Sequence, residues 1–415
     1  MPPDTAIIWI RVLMFISFKV LSRFLLSAIC AAALSACAVE RPESTTCRGL
    51  VPAQSFALPE LPNAEPEISE EAIIARSAAP AIAKAVADDP FGAVELNVLT
   101  LSAGGQYGAF GAGFLRGWGA DRPAFDLVTG VSAGALLAPV AFAGPDYDDI
   151  LDDYDGISDA DILRENILAI PFSPSVASTE PLRALLNTRL SDDLIARIAE
   201  RQATENAQLF VAATNLDTTA IRIFSLSDVA GSPADITARR DCIREAMIAS
   251  SAIPVFLPPR NIDDNLYADG GLRDHVFLRG IESARAQVAR QSGRTIRVNA
   301  FVIVNGQLRT PEEAGEATNV DDSILGYGLR AADILADETL RDSIAETIRF
   351  AQDQRGWTVQ GTFADTAIPD ACDDIDGRFN PCVTSHLFDY GKSVGGMRPI
   401  RWLDGDALLE ITNKL

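Results

Sequence analysis

Two histidines, His275 and His386, are all that the 415 residues carry. That scarcity excludes a multi-histidine metal centre and leaves two imidazoles to serve any histidine-based triad. Basic side chains are also few: 35 Lys and Arg stand against 57 Asp and Glu, a net charge of −22. A nucleic-acid partner is excluded on that ground, because affinity for phosphate backbones comes largely from basic side chains. What is abundant is apolar: 48% hydrophobic residues against 22% charged, the balance of a globular chain with a sizeable core rather than a disordered one.

The N-terminus reads as an address. Arg11, Lys19 and Arg23 precede an apolar run over 24–36 that is 13 residues long, whereas a spanning helix needs about 20. The run ends in Leu34-Ser35-Ala36-Cys37. This resembles the bacterial lipobox, in which cleavage leaves a cysteine that is then acylated. Residues 1–36 are therefore expected to be a lipoprotein signal peptide and Cys37 the lipidated residue. Ala38 after the cysteine resembles the outer-membrane sorting pattern, so a lipid-anchored place in a bacterial cell envelope is expected. The proline-rich stretch from 37 to about 90 is expected to be a tether, with a helix over 68–87 near its end. Export permits disulfides. Cys372 and Cys382 flank a short loop and are expected to pair; Cys47 and Cys242 are left by elimination, reduced core cysteines being the other reading.

From residue 95 the pattern is that of an α/β protein. Strands are expected at 95–101, 125–129, 209–214, 222–226 and 296–304, and helices at 109–118, 133–143, 181–190, 242–250 and 276–290. Strand, turn, helix, strand, turn, helix implies a parallel sheet with buried strands. Residues 91–310 are taken as the main domain and 311–415 as a C-terminal extension packed on it. That extension has a long helix over 321–352 and a strand at 357–363. The acidic stretch 146–161 reads as solvated surface, and 171–174 as a surface loop. Asp373, Asp374 and Asp376 hint at a calcium loop. The required spacing would put Cys372 and Val383 at ligand positions, so no metal site is expected.

Three motifs carry chemistry. Gly130-Val131-Ser132-Ala133-Gly134 is a G-x-S-x-G placed after a strand and before a helix, the setting of a nucleophile elbow. Gly104-Gly105-Gln106-Tyr107-Gly108 is a loop whose exposed backbone N–H groups could face a developing oxyanion. It lacks the Gly-Lys-Ser/Thr of a nucleotide-binding loop. Gly111 and Gly113 fit a close helix–strand contact. Asp269-Gly270-Gly271 would alone be a turn, but it follows the segment from Ala249 to Pro259, which has the form A-S-x-A-x-P-x-F-x-P-P.

In their chain order, glycine loop, G-x-S-x-G elbow, A-S-x-A segment and D-G-G turn, these four segments resemble the patatin-like phospholipase family over about residues 95–305. The resemblance implies a three-layer α/β sandwich with a central, mostly parallel sheet, and hydrolysis of lipid acyl esters without metal or cofactor. By position it implies Ser132 as nucleophile, Asp269 as base, and an oxyanion hole from Gly104, Gly105, Gln106 and Gly108. Gly130 and Gly134 would shape the elbow, and Gly270 and Gly271 the turn. The expected substrate is a phospholipid or lysophospholipid. Ala103 stands where the family has a further glycine, and Tyr107 where it often has a basic side chain. The order Ser132, Asp269, His386 also fits an α/β-hydrolase triad, which is the alternative mechanism; the alternative functions are an esterase or thioesterase on smaller acyl substrates and a non-catalytic envelope lipoprotein. Otherwise each histidine is given a surface role, with His275, six residues after Asp269, capping or packing near the site rim.

Overall fold

The computed structural model describes residues 41–47, 70–89, 91–165, 175–308, 324–372 and 378–412. The signal segment, Cys37, residues 48–69, the loop 171–174 and the acidic run 373–377 lie outside them. Among the described residues no helix is long and apolar enough to cross a membrane.

The strands in chain order are β1 Val94–Leu101, β2 Leu127–Val131, β3 Arg164–Glu165, β4 Ala177–Ser178, β5 Gln208–Asn215, β6 Ile221–Ser225, β7 Arg260–Ile262, β8 Asn265–Asp269, β9 Ile296–Val304, β10 Trp357–Phe363 and β11 Leu403–Asp404. Nine of them form one sheet in the order β11-β10-β9-β1-β2-β5-β8-β7, with β6 also on β5. The run from β10 to β5 is parallel; β6, β7, β8 and β11 pair antiparallel. Both faces of the sheet are covered, as parallel strands require. The period of two sorts the side chains: Leu99, Leu101, Leu209 and Val211 enter one core, and Leu96, Val98, Phe210 and Ala212 the other. The chain is thus a mixed α/β protein with a mostly parallel sheet between helical layers.

Register places the site. Leu101 pairs with Gly130, Val131 with Ala212, and Ala213 with Asp269. The glycine loop, the serine and the aspartate therefore leave neighbouring strands at one edge of the sheet, outside the carboxyl ends of β1 and β2, where open α/β sheets bind ligands.

The C-terminal region does not simply sit on a finished sheet: β10 and β11 extend it. The helix Pro381–Gly395, absent from the sequence expectations, crosses the helix Gly108–Trp118 with backbones in contact. A Cβ at Gly113 would lie 2.0 Å from Phe388 O, and one at Gly391 would lie 2.2 Å from Phe110 O. Gly113 therefore serves a helix–helix contact instead of the expected helix–strand one. The helix Asp192–Glu205 is also additional, capped by Ser191 Oγ accepting from Leu194 N–H. The acidic stretch 146–161 is not wholly solvated. Asp148 is buried and takes two hydrogen bonds from Arg122, at 2.9 and 2.7 Å. Disulfides join Cys47 to Cys242 and Cys372 to Cys382.

Candidate active site

Ser132 stands between β2 and the helix Ala133–Ala143 with φ 52° and ψ −120°. A non-glycine residue in that region is strained, and such strain is held only where surrounding contacts over-determine it. The flanking glycines permit the turn. A Cβ on Gly130 would come within 2.5 Å of Gly134 O, and one on Gly134 within 2.2 Å of Leu101 O. Two serines brace it from the helix Ile236–Ser250 and its end. Ser132 N–H donates to Ser250 Oγ at 2.9 Å, Ser250 Oγ donates to Ala212 O at 2.6 Å, and Ser251 Oγ donates to Ser132 O at 3.2 Å.

The Ser132 hydroxyl donates to Asp269 Oδ2 at 2.6 Å, and both side chains are buried. Asp269 closes β8. Its N–H donates to Ala252 O at 2.9 Å, and its carbonyl accepts from Thr214 Oγ1 at 2.9 Å. Gly271 N–H donates to its Oδ1 at 2.8 Å. Gly270 is needed because a Cβ there would meet Ala212 O at 2.4 Å. Burial pushes the Asp269 pKa up to about 6, against the opposing pull of hydrogen bonds from Ser132 and Gly271. A carboxylate so placed is ionised at neutral pH yet far more basic than a solvated one.

The loop after β1 forms a single 3₁₀ turn, Gly105–Tyr107. Gly105 adopts φ 55°, favourable only for glycine among common residues. Gly104 lies flat against β9's exit, where a Cβ would overlap Asn305 O. Asn305, whose amide donates to Ser102 O at 2.6 Å, props this loop from behind. Gly105 and Gln106 border the same cleft as Ser132. Gly108 does not offer its N–H to that cleft: the group is bonded to the carbonyls of Gly105 and Gln106. Its missing side chain instead admits Ala133, whose Cβ would be 2.8 Å from a Cβ on Gly108.

The cleft encloses roughly 610 Å³ including its open mouth, and Leu136, Ile157, Leu163, Leu182, Ile253 and Phe256 make it apolar. Such a lining suits an acyl chain. Arg378 and Phe379 reach it from the tail, and Asn380 N–H donates to Gln106 Oε1 at 3.3 Å. The C-terminal region therefore shapes the site.

Neither histidine intervenes between serine and aspartate. His386 Nε2 lies 3.0 Å from Thr366 Oγ1, and His386 does not line the cleft. His275 departs from a surface role. It is buried behind the aspartate turn, with its Cε1 3.1 Å from where a Cβ on Gly271 would stand. Desolvation lowers its pKa to about 4, so it is neutral at physiological pH. Ser250, Ser251, Thr214, Asn305 and Arg378 are functional neighbours that local sequence patterns do not assign. The two serines lie within the quoted A-S-x-A segment, which was the available signal.

No curated protein matches this chain. Among solved structures, VipD from Legionella pneumophila is similar at 16% identity, over 71% of this chain and 67% of that one, with a TM-score of 0.28; the fold rests on the sheet described above. The family model of the patatin-like phospholipases matches residues 99–280, from β1 through the elbow and the aspartate turn to the start of the following helix. Over those residues the chain carries a patatin-like phospholipase domain.

Proposed function

We propose that this protein is a lipid acyl hydrolase that cleaves carboxylic esters of phospholipids or lysophospholipids through Ser132 and Asp269 and an acyl-enzyme. The observation that carries the reading is the 2.6 Å hydrogen bond from the serine hydroxyl to the buried carboxylate. In the first half-reaction Ser132 Oγ attacks the ester carbonyl carbon while its proton passes to Asp269 Oδ2. The carbonyl oxygen becomes an oxyanion, and the N–H groups of Gly105 and Gln106, beside Ser132 in the cleft, receive it. The N-terminus of the helix Ala133–Ala143 adds a favourable field. Collapse breaks the bond to the leaving alkoxide, which takes the proton from Asp269. In the second half-reaction water gives a proton to Asp269 and attacks the acyl-serine, and the proton returns to Ser132 as the fatty acid leaves. The apolar cleft holds the acyl chain.

Acylation of Cys37 would tether the enzyme to the bacterial envelope, with the outer membrane as the expected site. Tethering would raise the effective concentration of lipid at the cleft. Fatty-acid release from lysophospholipid in mixed micelles tests the activity. Wild type should turn over and Ser132→Ala should not; an equally active alanine variant would overturn the reading.

A further inference from the structure

Among the described residues lining the cleft, Arg378 is the one charged side chain. It follows the acidic run of the tail and lies inside the loop closed by the Cys372–Cys382 disulfide. The loop's far end is pinned: Asn380 donates to Cys372 O at 2.8 Å and to Gln106 Oε1 at 3.3 Å. Arg378 N–H donates to Asp159 Oδ2 at 3.1 Å. Its guanidinium carbon lies 3.4 Å from the ring centroid of Phe256, itself a lining residue. One guanidinium nitrogen donates to Asp333 Oδ1 at 3.1 Å, with Arg378 32% and Asp333 49% exposed at their side chains. The cation is thus fixed in orientation at the wet rim of an otherwise apolar cleft, and an exposed carboxylate already occupies part of its donor fork.

We propose that Arg378 is a specificity-determining residue that holds the head-group phosphate of the lipid whose acyl ester lies at Ser132. The inference rests on the lipid-ester reading above. With the acyl chain inside the apolar cleft, the polar remainder of the substrate must lie toward the mouth, where Arg378 is. Guanidinium matches phosphate with two parallel N–H···O bonds, and stacking on Phe256 keeps the fork from wandering. Asp333 is the resident competitor: a phosphate approaching Arg378 displaces or shares its carboxylate. Removing the cation and removing the competitor should therefore act in opposite directions.

The test compares kcat/KM for lysophosphatidylglycerol with that for a monoacylglycerol of the same acyl chain, both in micelles of a neutral detergent. The wild type should favour the phosphate-bearing lipid. Arg378→Gln should lower the ratio of the two constants roughly tenfold, chiefly through KM for the phospholipid, and Asp333→Asn should raise it. Because each variant is its own control, a general loss of folded enzyme leaves the ratio untouched. An Arg378→Gln ratio equal to that of wild type overturns the proposal, as does an Asp333→Asn ratio that falls. If inorganic phosphate at the lipid's own concentration erases the wild-type ratio, the bound group is free phosphate and the head-group assignment falls. Wild type that reacts with a fluorophosphonate but hydrolyses neither lipid overturns the lipid-ester reading itself, a result distinct from any change in ratio.

Discussion

Ser250 Oγ accepts the amide proton of Ser132 at 2.9 Å and gives its own proton to Ala212 O at 2.6 Å. One hydroxyl thus ties the strained elbow to the neighbouring strand β5. An amide in such a strained turn has no helical or sheet partner of its own, so Ser250 supplies what the local backbone cannot.

Ser250→Ala should leave the Ser132 amide buried and unsatisfied. The expected loss is about 1–3 kcal/mol of stability, with kcat falling roughly ten- to hundredfold and KM little moved, because the serine is mis-set rather than the cleft reshaped. Denaturant unfolding and steady-state kinetics check the two parts separately.

Asp269 predicts a pH profile. Its pKa is raised to about 6 by burial, and only the ionised form can take the serine proton. Activity should therefore be lost as pH falls through about 6 and stay level above it. The limb should vanish with residual activity in Asp269→Asn.

The same shift has a stability consequence of opposite sense. A carboxyl with a folded pKa near 6 and a model value of 3.8 binds its proton more tightly when folded. Its contribution is present below the unfolded value and is lost as pH rises through the folded one. Asp269→Asn removes that dependence. Calorimetry should find the variant melting higher than wild type at about pH 8 and level with it near pH 4. Asp274, likewise raised to about 6 by burial, should leave a weaker slope of the same sign in the variant.

The crossing of Gly108–Trp118 with Pro381–Gly395 predicts that small residues there are obligatory. Gly391→Val places side-chain atoms where Phe110 O now lies. The helices must separate, at a cost of about 1–3 kcal/mol, and the glycine loop ahead of the first helix should loosen with them. Reduced stability accompanied by lower kcat is the expected result.

How legible all this was in the sequence varied with the physics. β1 and β9 are plain because they are long and alternate apolar with polar residues at the start, as in Ile296, Val298 and Ala300, before becoming continuously apolar and buried over Val302–Val304. The elbow was legible because glycines at 130 and 134 bracket a serine between a strand and a helix. β8 was not, since five residues ending in a turn carry too short a period. The helix Pro381–Gly395 was hidden because part of its buried face is Gly391 and Gly395, residues that read as helix breakers when the partner backbone is unseen. The burial of Asp148 depends on Arg122, 26 positions earlier, and the brace from Ser250 spans 118. No local pattern encodes either separation. The pairing of Cys47 with Cys242 could be reached by elimination, whereas Arg378 at the cleft required the tail's three-dimensional path.

The central claim is that one alcohol is activated by one buried carboxylate without an imidazole. The most direct measurement is the rate at which a fluorophosphonate adds to the intact protein, followed by mass spectrometry for wild type, Ser132→Ala, Asp269→Asn and His386→Ala. Addition should be absent in the serine variant, slowed by orders of magnitude in the aspartate variant, and at the wild-type rate when His386 is removed. Loss of labelling in His386→Ala with full labelling in Asp269→Asn would contradict the account.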